Sequence, residues 1–318
     1  MGELKVTVVI PTYGRESVLV ETLEHTLALE QPADAVIVVD QTVEHTPAVA
    51  ERLASWETCG AACILPLSPP SIPRAMNIGL QASRTELVLY MDDDVLPSPG
   101  LVREHVRAHS KHPEALAVVG QILQPGEEPR DVAYQPSGSM LRRYLDFPFY
   151  CCQAQPVENV SAGNLSVKRI PACTLGGFDE NYGTFVAFRF ETEFAKRAVR
   201  QGHQVWFEPR ASLHHLRAPS GGTRVTGSHL TSPSPMFGVG DYYYALTCGR
   251  GADKLRYMLH RPFREIRTRF HLRHPWYMPV KLLGELRAAA LAYRLYRAGP
   301  KFPAFELEQT RRDHSSVE

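Results

Sequence analysis

A chain of 318 residues, 44% hydrophobic and 22% charged, is long enough for one large domain with an appendage or for two domains, and its Gly and Pro content excludes a fibrous or low-complexity protein. No apolar run approaches the ~20 residues of a membrane-spanning helix, no basic and apolar leader opens the chain, and six scattered cysteines fit reduced cytoplasmic thiols better than disulfides or a zinc knuckle. The net charge of +1 hides an asymmetry: residues 1–252 hold 21 Lys and Arg against 27 Asp and Glu, whereas residues 253–302 hold 12 against 3.

In chain order, short β-branched runs alternate with helical patterns. Strands are predicted at Lys5–Ile10, Ala35–Val39, Ala61–Leu65 and Glu86–Met91, with helices over about Glu16–Leu29, Pro47–Trp56 and Pro73–Ala82. Continuous apolar strands separated by helices imply a mostly parallel sheet covered on both faces, a Rossmann-like α/β layout. A helix over Gly100–His112 and a strand over Ala115–Leu123 come next, then a loop-rich stretch over Gln124–Pro148. Order resumes with a strand at Asn164–Lys168, a helix at about Glu191–Gln201 and a strand at Gln204–Phe207.

Ligands of such sheets bind beyond the carboxyl ends of the strands. Those ends read Pro11-Thr12-Tyr13-Gly14-Arg15, Asp40-Gln41 and Asp92-Asp93-Asp94. Neither a dinucleotide Gly-x-Gly-x-x-Gly nor a P-loop stands at the first turn. Three successive carboxylates repel one another unless bridged, and a divalent cation bridges them; hard oxygen ligands suit Mg2+ or Mn2+, which also bind diphosphates. Taken alone, an acidic turn capping the next helix is the blander reading. His105, His109 and His112 share a helical face, but Arg103, Arg107 and Lys111 on the same helix read it as a solvated basic face without a metal.

Taken as an ordered set, Val8-Val9-Ile10-Pro11-Thr12-Tyr13-Gly14-Arg15, Val38-Val39-Asp40, Arg74-Ala75-Met76-Asn77, Tyr90-Met91-Asp92-Asp93-Asp94, Ala162-Gly163-Asn164, Gly176-Gly177-Phe178-Asp179 and Glu191-Thr192-Glu193-Phe194 resemble the inverting family-2 glycosyltransferases of GT-A fold. Phe207-Glu208-Pro209 and His214-His215 complete the order, and the resemblance covers residues 5 to about 225. It implies transfer of a sugar from a nucleotide-diphosphate donor to a hydroxyl of a saccharide or lipid-linked acceptor, in polysaccharide or glycolipid biosynthesis, with Mg2+ or Mn2+ as cofactor. Donor contacts would fall on Pro11, Thr12, Tyr13, Arg15, Asp40, Arg74, Asn77, Asp92 and Asp93, and metal contacts on Asp94 and on His214 or His215, with His215 preferred. Glu191 would be the base, at the mouth of a helix whose positive end keeps a carboxylate ionised, with Glu193 as fallback. The family's first acid of that motif is replaced by Phe190, which admits a nucleotide-sugar-binding scaffold without turnover as the alternative. Gly221-Gly222-Thr223-Arg224 offers amides and a guanidinium to phosphate oxygens.

The expected organisation is a catalytic domain at 1–225, divided near 123 into nucleotide-sugar and acceptor halves, a linker or mobile loop at 226–252, a basic amphipathic helical segment at 253–302 and a disordered tail at 303–318. In that segment Leu255, Leu259, Phe263, Ile266 and Phe270, and then Leu282, Leu286, Ala289, Tyr293 and Tyr296, form apolar stripes among arginines. Such stripes suit a peripheral contact with an anionic membrane, at its inner face for a cytoplasmic protein, or packing on the core or on a second copy in a homodimer. No nucleic-acid motif accompanies them.

Overall fold

The computed structural model describes residues 4–134, 138–142, 145, 147–183, 189–222 and 228–306. The first half winds β1 (Val6–Thr12), α1 (Ser17–Leu27), β2 (Ala35–Asp40), α2 (Pro47–Thr58), β3 (Cys63–Pro66), α3 (Ile72–Ala82) and β4 (Leu87–Met91). It continues through β5 (Val95–Pro97), α4 (Leu101–Lys111), β6 (Ala115–Leu123), β7 (Gln155–Pro156), β8 (Asn164–Lys168), α5 (Arg169–Thr174), α6 (Phe190–Arg200) and β9 (Gln204–His215). The C-terminal part is helical: α7 (Val239–Cys248), α8 (Gly251–Ile266), α9 (Arg269–Arg273) and α10 (Tyr277–Ala298).

The sheet runs β3-β2-β1-β4-β8-β6-β9-β5, with β7 on β9. Strands β3, β2, β1 and β4 are parallel, β8 lies antiparallel between β4 and β6, and β6 pairs parallel with β9. The sheet is thus mixed and mostly parallel, with helices on both faces. Alternate side chains of β1 sort the two cores: Val8 and Ile10 pack with Leu19, Leu53 and Val102 from α1, α2 and α4. Val9 packs on the other side with Met76, Phe194, Tyr243 and Ala288 from α3, α6, α7 and α10.

Three expectations change. First, the 226–252 stretch read as a linker contains α7, whose Tyr242, Tyr243 and Tyr244 are buried; a helix enclosed on every side shows no amphipathic period to announce it. Second, the supposed solvated face of α4 carries His105 and His109 fully buried. His105 bonds Asn164 and Ser166 of β8 at 2.8 Å each, and His109 bonds Ser166 at 2.9 Å. Third, residues 303–306 dock: Phe305 packs on the core and Gln81 exchanges hydrogen bonds with the Glu306 backbone. The rest of the expected tail lies outside the described residues, as do Thr223 and Arg224.

Candidate active site

The carboxyl ends of β1, β2 and β4 lie side by side because the three strands are parallel, with Thr12 opposite Asp40 and Val9 opposite Tyr90. The segments that leave these strand ends therefore converge. The Asp92–Asp94 run leaves β4 and leads at once into β5, where Val95 pairs directly with His215 at the end of β9. This pairing, closed by Leu216 N–H donating to Asp94 O at 2.8 Å, carries His215 to the aspartates. Its Nε2 lies 3.4 Å from Asp94 Oδ1 and 3.6 Å from Asp92 Oδ2. His214 pairs with Leu96 and faces away, since neighbours on a strand point to opposite sides.

Asp94 is buried: the Ala218 amide donates to its Oδ2 at 2.9 Å and Arg15 reaches the same oxygen at 3.1 Å. Asp93 takes Thr12 Oγ1 at 2.8 Å and Arg15 Nε at 3.2 Å. Burial nevertheless raises the Asp93 carboxyl to about 6, with Thr12 and Arg15 opposing and Asp92 and Asp94 adding to the rise. Arg15 thus offsets part of the repulsion in the acidic run. It also binds the Ala218 and Ser220 carbonyls, tying the aspartates to the 218–222 loop. That loop meets the first turn so closely that a Cβ on Gly221, at φ 77°, would sit 2.3 Å from the Gly14 carbonyl oxygen.

Ligand atoms of Asp92, Asp94 and His215 all lie within 4.8 Å of one another, two hard carboxylates and one imidazole. This donor set fits a divalent cation. The Asp92 hydrogen bond is the main cause raising the His215 pKa, against its burial.

Beside these groups lies a cleft of about 190 Å³ lined by Pro11, Thr12, Tyr13, Arg15, Asp92, Asp93, Asp94 and His215. Gln41 also lines it, a residue noted at its strand end but given no role; its Nε2 donates to Thr12 O and its Oε1 accepts the Ser71 amide. Ile72, Met76 and Met91 supply an apolar wall. Asp40, Arg74 and Asn77 are outside this lining. Asp40 accepts from His45 Nε2 at 2.9 Å and the Thr42 amide at 2.9 Å. Asn77, 3% exposed, pairs its amide with both backbone groups of Phe178 at 2.8 Å and so fixes α3 to the Gly176-Gly177 turn rather than facing the cleft.

A second chamber of about 450 Å³ shares Asp92 and His215 and extends past Gln124, Glu127, Phe147 and Tyr150. Glu191 stands in the first turn of α6, half-buried, its carboxyl raised to about 7 by burial, with its own amide opposing, the Asp92 charge adding to the rise and Arg189 opposing. Glu193 is held by Arg197 at 2.8 and 2.9 Å, an ion pair within α6. Phe190 is a core side chain packed edge-to-face on Phe178.

The glycosyl transferase family 2 model matches residues 7–158, the span that holds these strand ends and the acidic run. The chain is a glycosyltransferase carrying a family-2 domain. A glucosyl-dolichyl phosphate glucuronosyltransferase of Haloferax volcanii is 26% identical over 227 residues, 67% of this chain and 69% of that protein. In fold, the transferase is similar to GalNAc-T7 solved with UDP, GalNAc and Mn2+, at TM-score 0.54 and 16% identity. That match covers 77% of the transferase but only half of the GalNAc-T7 chain. It is similar also to the mannosyltransferase PcManGT of Pyrobaculum calidifontis solved with GDP-Man and Mn2+, at TM-score 0.53 and 18% identity over 94% and 80% of the two chains. These likenesses establish the GT-A fold of the transferase.

Proposed function

We propose that the transferase moves a sugar, with inversion, from a nucleotide-diphosphate donor to the hydroxyl of a lipid-linked or saccharide acceptor. The observation that carries this reading is the Asp92, Asp94 and His215 cluster at the mouth of a cleft lined by the ends of β1 and β4. Pro11, Thr12, Tyr13 and Gln41 would bound the nucleoside, with Asp40 and Arg74 at its rim, and Asp92, Asp94 and His215 would hold Mn2+ or Mg2+. A cation bound there neutralises the diphosphate and stabilises its departure.

The chain's own residues supply the rest. Arg15 keeps Asp93 and Asp94 fixed and partly neutralised, so both Asp94 oxygens stay aimed at His215 and the 218 turn. Glu191, whose carboxyl feels the Asp92 charge and is raised to about 7, would take the acceptor proton, a value matched to that task. A base separate from the leaving diphosphate is what direct displacement requires. The second chamber would receive the acceptor.

No described helix is long and apolar enough to cross a membrane. On α8, however, the apolar stripe turns outward: Leu255, Leu259 and Phe263 are about 60% exposed, while Tyr257 and Arg261 point inward. Among the described residues from 251 to 301, every exposed charged side chain is basic. Apolar side chains interleaved with arginines and free of exposed acids suit an anionic membrane interface, which would bring a lipid-linked acceptor to the site.

Calorimetric titration with UDP- and GDP-sugars in the presence of Mn2+ tests the reading. At least one donor should bind, with slow hydrolysis, and Asp94→Ala should abolish both. Failure of every donor to bind would overturn it.

A further inference from the structure

We propose that Asp241 of α7 is a positioning residue for Glu191, acting through Arg189 on the turn that launches α6. This rests on the reading of Glu191 as the base. Arg189 is one of two non-glycine residues with positive φ among the described residues, at φ 76° and ψ 4°. A side chain in that left-handed region persists only when its surroundings hold it there, and such strain gathers at functional sites. The other, Arg217, lies two residues beyond His215.

Arg189 sits two residues before Glu191, and its carbonyl accepts the Glu193 amide at 2.9 Å, the bond that starts α6. The orientation of the 189 peptide therefore sets the direction of the first turn. Its Nε donates to Asp241 Oδ1 at 2.9 Å, and Asp241 is 1% exposed. Asp241 also accepts Tyr257 Oη at 2.8 Å and the guanidinium of Arg261, both from α8, while Arg261 Nε binds Glu285 of α10 at 2.9 Å. Arg261, Arg264 and Lys281 already stand against the three carboxylates of this cluster, Asp241, Glu265 and Glu285. A further arginine is not needed to balance that charge, so the presence of Arg189 is explained by what the contact does for the strained 189 turn. The C-terminal helices thereby hold the mouth of α6, and α8, whose outer stripe is Leu255, Leu259 and Phe263, lies two side chains from it.

The test uses the full chain with Mn2+ and UDP-glucose, UDP-N-acetylglucosamine and GDP-mannose as donors. It reads nucleoside diphosphate release, donor affinity by calorimetry, and amide hydrogen exchange of peptides covering 189–200. Asp241→Asn should lower kcat about tenfold to a hundredfold, leave donor affinity within about twofold and raise exchange in the first turn of α6. Arg189→Lys with Asp241 intact, which keeps the ion pair, should retain most of the wild-type rate. Should Asp241→Asn fail to fold, Arg189→Gln, which leaves Asp241 paired with Arg261 and Tyr257, is read in the same way. Unchanged exchange in that turn, whether or not any donor is hydrolysed, overturns the inference. So does a kcat loss matched by an equal loss of donor affinity, which marks a merely structural contact. Wild-type release by Glu191→Gln would instead sink the base assignment.

Discussion

Glu191 has the environment a general base needs. It is half-buried at the positive end of α6, and burial with the Asp92 charge nearby raises it to about 7. Only the ionised form accepts a proton, so the rate should fall as pH drops through that value. A cation on Asp92 would cancel part of the field that raises it, so the acid limb of kcat should lie at or below about 7. Glu191→Gln should lose roughly 10²- to 10⁴-fold in transfer while still binding donor; transfer assays across pH measure both. Gly163 makes a second prediction at this scale. A Cβ there would stand 2.4 Å from Asp92 Oδ2, so Gly163→Ala should fold, displace that carboxylate and weaken Mn2+ binding, read by calorimetry. The acidic run and His215 were legible because their order along the chain matches a known pattern. His215 was preferred to His214 on order alone; the β5 register, which pairs it with Val95, is what brings it to Asp92 and Asp94. Asn77 misled the reading because its partner, Phe178, lies 101 residues away, and nothing local shows that its amide is engaged.

At the scale of elements, α4 is where charge pattern gave the wrong face. Arg103 and Arg107 do face solvent, but His105 and His109 point into β8, where Asn164 and Ser166 receive them. Burial lowers His105 to about 4 and His109 to about 3. Both fold neutral, so their contribution is fully present above the unfolded value of about 6.5 and is lost as pH falls from there through the folded values. Urea midpoints should therefore decline between pH 6.5 and 4, and the double variant His105→Gln with His109→Gln should show a flatter decline. Strand β9 was legible only to Phe207 because Pro209 reads as a stop. The pairing with β6 instead jumps from Glu208 opposite Gly120 to Ser212 opposite Gln121, so residues 209–211 form an irregularity that absorbs the proline and lets the strand run on to His215. The first-half strands and helices were legible to within a few residues, since parallel strands buried on both faces announce themselves as apolar runs.

For the whole molecule, the periodicity of the C-terminal segment was readable and its orientation was not. Helices usually turn an apolar stripe inward, yet α8 buries Arg261 against Asp241 and Glu285 and leaves Leu259 and Phe263 outside. If that face meets an anionic bilayer, the protein should float with phosphatidylglycerol vesicles, release as salt rises, and stay in solution when Leu259→Asp and Phe263→Asp are combined. Equal recovery of wild type and variant with vesicles would show that α8 does not bind the membrane. Everything else depends on the donor site, and anomalous diffraction at the manganese edge from crystals soaked with Mn2+ and UDP or GDP decides whether it is there. One peak is expected within coordination distance of Asp94 and His215, bridged to the diphosphate, with the nucleoside between Pro11 and Gln41; nucleotide bound elsewhere, or manganese absent from that cluster when nucleotide is present, would contradict it.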